Sequence, residues 1–240
     1  TDYGSDLGIK NGLATLLNAV TSSVPEIPWI RILYAYPGVV TEQLINVMKT
    51  KKNILHYLDI PLQHAHPQIL KQMRRPSNMD SVRKTIKNLR EAMPDIAIRT
   101  TFIVGFPGET EVEFKELLNF VEEVEFDHLG AFTYFQEKGT TAERLGDPVS
   151  EEEKQSRLER LMMLQQEISL KKNQTWIGKT LPILVEGYNE GISIGRSYRD
   201  APEIDGMVFV EGELPIGKIC EVKITDALAH DLVGIPIVGK

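Results

Sequence analysis

Polar groups that could bind or react stand beside glycine or proline in a few short stretches: Pro61-Leu62-Gln63-His64, Arg74-Arg75-Pro76, and Gly105-Phe106-Pro107-Gly108-Glu109-Thr110. Arg99 and Thr101 lie just before the last of these. Gly105 to Thr110 has the form of a junction between a strand and a helix. Glycine lets the backbone approach a ligand closely, and a helix start presents N–H donors. A tight turn uses the same residues, so geometry leaves both readings open. The loop lacks the Gly-Lys-Ser/Thr ending of a phosphate loop, which argues against an ATPase of that kind. Arg99 and Thr101 alternate with Ile98, Thr100 and Phe102, so one set faces a barrel interior and the other its helices. An inward Arg99 is a buried cation that needs an anion. A ligand carboxylate would serve, and so would an acidic neighbour such as Asp59.

Other reactive residue types carry less. His64 and His66 have no third ligand at zinc spacing, so polar contact is favoured over metal binding. Arg74-Arg75 could grip a carboxylate with forked hydrogen bonds or could end a helix in solvent. Cys220 is the only cysteine, which excludes an internal disulfide and any thiolate-only metal site built from these residues alone. In Lys218-Ile219-Cys220-Glu221-Val222 it reads as a small strand side chain with apolar partners or at an edge. No Ser/His/Asp or Cys/His arrangement recommends itself for nucleophilic catalysis.

The elements that would position these residues follow a βα rhythm. Strands are predicted over Trp29–Tyr36, Leu55–Pro61, Ile96–Val104 and His128–Phe135, with helices between them, the pattern of a parallel sheet. In such a sheet the working groups sit at the carboxyl ends of the strands. Thr110 and Glu113 form a capping box ahead of Phe114, Leu117, Leu118, Val121 and Val124. Val82, Thr85, Ile86, Leu89 and Met93 mark a second helix, and Thr41 caps a third carrying Leu44, Ile45 and Met48. A helix near Gly12–Val20 has no strand before it, and four strands fall short of the eight of a closed barrel. The expectation is a partial, open β/α barrel that has lost its beginning. Ser150 to Glu153 opens a long helix through Lys171 with Leu158, Leu161, Met162, Gln165 and Ile168 on one face. Beyond Trp176 five short strands suit a small OB-like antiparallel barrel: Lys179–Glu186, Gly191–Tyr198, Gly206–Val210, Lys218–Thr225 and Leu232–Val238. The domains expected are residues 1–172 and 173–240.

Composition sets outer limits. With 42% hydrophobic and 25% charged side chains, the 240 residues have an ordinary globular composition. Neither a membrane-crossing run nor a signal peptide is visible, so a cytoplasmic protein is expected. A net charge of −7 argues against a general nucleic-acid coat.

Three segments are similar to the radical SAM methylthiotransferases: Tyr57-Leu58-Asp59-Ile60-Pro61-Leu62-Gln63-His64, Ile69-Leu70-Lys71-Gln72-Met73-Arg74-Arg75-Pro76, and Arg99 through Thr110. Phe126-Asp127-His128-Leu129-Gly130-Ala131-Phe132 and Glu137-Lys138-Gly139-Thr140 continue the match, and the region from Trp176-Ile177-Gly178-Lys179 onward resembles that family's TRAM domain. Asp-Ile-Pro-Leu-Gln-His followed by Arg-Arg-Pro resembles the RimO type, which modifies an aspartate of a small-subunit ribosomal protein. From Thr175 to Lys240 there are six Lys or Arg against ten Asp or Glu, a surface suited to a basic protein rather than RNA.

The resemblance implies a reaction in which a four-iron cluster cleaves S-adenosylmethionine, the radical removes a hydrogen from the aspartate β-carbon, and a methylthio group is installed. It implies three cluster cysteines as Cys-x-x-x-Cys-x-x-Cys after the barrel's first strand, and a second cluster in an amino-terminal domain. Neither motif is in this sequence, so catalytic and metal-binding residues are expected to lie outside it and the 240 residues to be inactive alone. By the same resemblance Gln63, His64, Arg99 and Thr101 would face S-adenosylmethionine, and the loop Gly105, Phe106, Pro107, Gly108 and Glu109 would lie against it. Two rivals are a tRNA adenosine methylthiotransferase of the same family, and a non-catalytic binding module.

Overall fold

The computed structural model describes residues 3–237. The chain divides into two units, Thr1–Gln165 and Gln166–Lys240, each described by itself. This division and the boundary expected at residue 172 both lie within one helix, Glu151–Gln174. No helix among the described residues is long and apolar enough to cross a membrane.

The first unit is a parallel four-stranded sheet in the order β1-β2-β3-β4: β1 (Ile30–Ile32), β2 (Ile54–Asp59), β3 (Ala97–Val104) and β4 (His128–Thr133). Among the described residues β1 and β4 are the two edges, so the sheet is open as expected. Strand β1 is much shorter than its β-branched run suggested. Tyr34 takes the left-handed conformation (φ 57°), which turns the chain out of the ladder and leaves only Ala35 N–H donating to Asp59 O at 2.8 Å. On β3, Ile98, Thr100, Phe102 and Val104 are buried while Arg99, Thr101 and Ile103 are half-buried, so the period of two sorts a helix-covered face from an open one.

Helices α1 (Gly12–Ser23), α2 (Glu42–Thr50), α4 (Met79–Ala92) and α5 (Glu111–Val124) form where their apolar stripes predict. Their ends are chemically specified. Thr41 Oγ1 accepts from Leu44 N–H, and Asn78 Oδ1 accepts from Ser81 N–H at 3.0 Å. Arg90 of α4 donates to the carbonyls of Val124 and Glu125 at 2.6 and 2.8 Å, satisfying the carboxyl end of α5. Phe120 of α5 meets Phe126, which meets Phe102 edge-on at 6.0 Å, so the helix-covered face packs as an aromatic cluster. A short helix, α3 (Pro67–Gln72), was not foreseen; it starts on a proline and buries only Ile69 and Leu70, too few for a periodic signal.

Helix α6 (Glu151–Gln174) corrects the sequence reading of its buried face. Leu158 and Met162 are half-buried, whereas Lys154, Arg157, Leu161 and Gln165 are buried at helical spacing. The first two members of the face are cations.

The second unit is a closed barrel in the order β5-β6-β7-β9-β8: β5 (Thr180–Asn189), β6 (Ile192–Ser197), β7 (Val208–Glu211), β8 (Ile219–Ala227) and β9 (Leu232–Pro236). Its core is Leu181, Ile183, Val208, Val210, Val222, Ile224, Ala227 and Leu232. The barrel is not purely antiparallel as expected, because closure is made by a parallel pair, β7 with β9. Val238, placed in the last strand by the sequence, lies outside the described residues.

Candidate functional site

The open face of the sheet carries a row of polar side chains near the strands' carboxyl ends. Register places Asp59, Arg99 and His128 side by side and Thr101 beside Gly130. Arg99 Nη1 donates to Thr101 Oγ1 at 3.1 Å and to Asp59 Oδ1 at 3.4 Å, so the acidic neighbour considered from the sequence is its partner. Asp59 is wholly buried, while the Arg99 side chain keeps 12% exposure. A Cβ at Gly130 would lie 3.1 Å from Arg99 Nη2, so the missing side chain is the space the guanidinium uses. Further towards the amino ends, Arg31 lies 4.3 Å over the Tyr57 ring.

Behind this row the backbone continues β2 past its proline. Pro61 cannot donate to a ladder, yet Gln63 N–H donates to Thr101 O and Ile103 N–H donates to Gln63 O, both at 2.9 Å. Gln63 sits in the left-handed region (φ 72°), which turns the next residue, His64, away into the interior. His66 N–H donates to His64 Nδ1 at 2.9 Å, so the ring proton sits on Nε2 and points at Glu109 Oε2, 3.1 Å away. Glu109 Oε1 accepts from Gly105 N–H at 3.0 Å and from Arg157 Nη1 at 2.8 Å. Arg157 Nη1 also reaches the Glu109 carbonyl at 3.0 Å, and its Nε donates to Glu153 at 2.8 Å. A buried carboxylate with one imidazole, one guanidinium and one backbone donor is fully paired, the condition under which such a charge is tolerated.

The predicted site residues therefore fall into two groups. Gln63, Arg99 and Thr101 are half-buried on the open face, where a ligand could touch them. His64, Gly105, Phe106, Pro107 and Glu109 are buried, and only Gly108 of the loop is exposed. Phe106 packs edge-on against Tyr134 at 5.1 Å. The start of helix α5 is capped by its own residues: Thr110 Oγ1 accepts from Val112 N–H at 3.2 Å, and Glu113 Oε2 accepts from Thr110 N–H at 2.8 Å. Arg74 and Arg75 are exposed, His66 faces Glu116 at 3.7 Å, and Cys220 is half-buried in the barrel. Sequence reasoning missed Arg157 and Lys154, whose signal was their place on the buried stripe of α6.

The capping box makes a pH-dependent prediction. The Thr110 hydroxyl and then its N–H hold the Glu113 carboxyl below the usual carboxylate range. A depressed acid stabilises the fold above its unfolded pKa, and that contribution fades as pH falls through the folded value. Thr110→Ala should cost about 1 kcal/mol near neutral pH and less in acid, read from urea midpoints at several pH values.

The radical SAM superfamily matches residues 8–121 and the TRAM domain matches residues 177–237. The ribosomal protein uS12 methylthiotransferase RimO of Chloroflexus aurantiacus is 52% identical over 98% of this chain and 52% of its own length. The protein of the same name from Roseiflexus castenholzii is 49% identical over 98% of the chain and 50% of its own length. The chain carries a radical SAM domain followed by a TRAM domain and is similar to these methylthiotransferases along nearly its whole length. It spans about half the length of these relatives. A solved structure, coproporphyrinogen III oxidase (HemN) from Escherichia coli, covers 94% of the chain and 56% of its own at TM-score 0.55 and 12% identity, a likeness of fold alone.

Two groups belong to radical SAM chemistry, and the residues present fit one of them. A site-differentiated four-iron cluster needs three thiolates, whereas this sequence has one cysteine, and no cluster of three His, Cys, Asp or Glu exists among the described residues. The cluster does not fit these 240 residues. S-adenosylmethionine fits better: the partly exposed Arg99, Thr101 and Gln63 carry donors suited to a carboxylate and hydroxyls.

Proposed function

We propose that this chain is the cofactor-orienting and target-binding part of a methylthiotransferase that modifies the β-carbon of an aspartate in a small-subunit ribosomal protein, uS12 in the relatives' names. The observation that carries the reading is near-50% identity to those relatives across both units. In radical SAM enzymes S-adenosylmethionine, when bound, supplies the radical chemistry; the protein's part is to bind and orient it. Here Arg99 would hold its carboxylate while Asp59 keeps the guanidinium aimed along the open face. Thr101 and Gln63 would bond its remaining polar groups, and the buried loop behind them would exclude water from that side. The thiolates for two four-iron clusters would come from outside these 240 residues. The setting is the cytoplasm, beside the ribosome.

The target assignment draws support from the barrel. Glu186, Glu190, Glu211, Glu213 and Glu221 are exposed on it, against exposed Lys179, Lys218 and Lys223. Its two arginines are engaged, Arg196 with Glu186 at 2.8 Å and Arg199 over the Trp176 ring at 4.8 Å. Such a surface attracts a basic ribosomal protein and repels RNA phosphates.

The test uses a protein extended to the relatives' length, with clusters reconstituted and offered uS12 and tRNA together. A methylthio mass gain on the uS12 aspartate is expected, and modification of tRNA instead would overturn the target. In the same protein Arg99→Ala should weaken S-adenosylmethionine binding by about 2–3 kcal/mol, the scale of an unpaired buried charge. Unchanged affinity would remove Arg99 from the site.

A further inference from the structure

We infer that Arg157, on the helix leading to the terminal barrel, is a positioning residue for the S-adenosylmethionine face, acting through Glu109 and His64. This rests on the cofactor reading above and adds to it a residue that does not touch the ligand.

The inference follows an unbroken chain of short contacts. Arg157 Nη1 bonds both the side chain and the carbonyl of Glu109, at 2.8 and 3.0 Å, so it fixes the position of that residue as well as its charge. Glu109 in turn holds Gly105 N–H at 3.0 Å and His64 Nε2 at 3.1 Å. His64 directly follows Gln63, whose N–H and C=O bridge Thr101 and Ile103 at 2.9 Å. Thr101 accepts from Arg99 at 3.1 Å. Every link up to Gln63 is buried, and the last three residues are the half-buried ones facing the open side.

The strained geometry of Gln63 explains why the far end of this chain should respond. A non-glycine residue at φ 72° persists only where its surroundings over-determine it. Its two strand bonds hold it from one side, and the anchored imidazole of His64, turned inward to Glu109, holds it from the other. Without Arg157, the Glu109 carboxylate would keep its imidazole and amide partners but lose its only cation. A buried carboxylate that loses the cation fixing both its side chain and its carbonyl shifts towards water, and that shift pulls it from His64. A second cation on the same helix, Lys154, is not part of the relay: its Nζ pairs with Asp147 and Glu151 at 2.6 Å, and its stem fills the space beside Gly105. Arg157 alone among the buried groups of α6 reaches Glu109.

The test compares Arg157→Ala, Arg157→Lys and Arg160→Ala. Arg160 lies on the same helix in an exposed pair with Glu111 at 2.7 Å, so its loss controls for removing any helix cation. The 240-residue chain is used to read His64 ring-nitrogen shifts and the exchange protection of the Gln63 and Ile103 amides. The extended, cluster-loaded protein is used for the S-adenosylmethionine Kd. In Arg157→Ala the Nε2 signal of His64 should change, the two amides should lose protection, and Kd should rise roughly tenfold. Arg157→Lys, which restores charge without the fork, should recover part of each, and Arg160→Ala should change none. If Arg157→Ala does not fold, Arg157→Lys decides on the same readouts. Unaltered His64 shifts and amide protection in the folded Arg157 variants overturn the inference. Should the unsubstituted protein fail to bind S-adenosylmethionine, the cofactor reading falls, and the nitrogen and amide data still decide the relay.

Discussion

Gly105→Ala is expected to destabilise the first unit by about 3 kcal/mol or more, because backbone strain and a clash with a buried cation coincide there. Gly105 has φ 73°, a conformation that costs an L-residue about 1–2 kcal/mol. A Cβ built on it would lie 2.4 Å from Lys154 Cγ and 3.3 Å from both Cβ and Cδ. Lys154 cannot swing aside cheaply, since its buried Nζ is fixed between Asp147 and Glu151. Those two carboxylates outweigh burial and raise its pKa, so the cation stays charged and pays desolvation if it leaves its partners. Gly108, three residues on, separates strain from clash. Its φ is 89°, but its Cβ would approach only the end of the Gln72 side chain, at 3.1 Å. Gly108→Ala should therefore cost about 1–2 kcal/mol. The measurement is native-state hydrogen exchange at β3 amides such as Thr100 and Phe102. Equal losses in the two variants would mean that Lys154 does not constrain the loop.

How much of this was readable beforehand depends on whether a residue's partner is near in sequence. The capping box of Thr110 and Glu113, the Thr41 cap and the apolar stripes of α4 and α5 are local, and each appears where its spacing placed it. The alternation around Arg99 separated open from covered face, and Asp59 was among the candidate partners because the strand pattern allowed it. The Gly105 loop was harder. Two readings stood level, ligand cradle or tight turn, and the structure shows why they could not be separated. Its glycine makes room for Lys154, and its glutamate for Arg157, both more than forty positions away. Charged residues on a helix are ordinarily solvated, so a stripe beginning Lys154, Arg157 reads as surface until the carboxylates that bury it are known. The parallel β7–β9 pair was missed for a related reason, since strand patterns report which faces are apolar but not which strands meet.

Closure by that pair makes the second large effect. Gly206→Ala should open the barrel at a cost of about 4 kcal/mol or more, in the exceptional range for a point change. Here the backbone conformation is unstrained and the obstacle is distance: a Cβ at Gly206 would sit 1.7 Å from the His230 carbonyl oxygen and 2.8 Å from its carbon. A side chain could rotate away, but a backbone carbonyl leads the segment that enters β9. Moving it breaks Leu232 N–H to Met207 O at 2.9 Å and Met207 N–H to Asp231 Oδ1 at 2.8 Å, the two bonds that start the β7–β9 ladder. Behind them Val208 and Leu232, paired across that ladder and both buried, would be exposed. Thermal unfolding followed at the barrel amides Val210 and Gly234 should show the loss, while β3 amides in the first unit keep their protection. The functional consequence follows from the same geometry. If the acidic barrel surface recruits the ribosomal protein, opening the ladder should abolish that binding and leave the S-adenosylmethionine Kd of the extended protein unchanged, whereas a fall in both would mean the two tasks are not divided between the units.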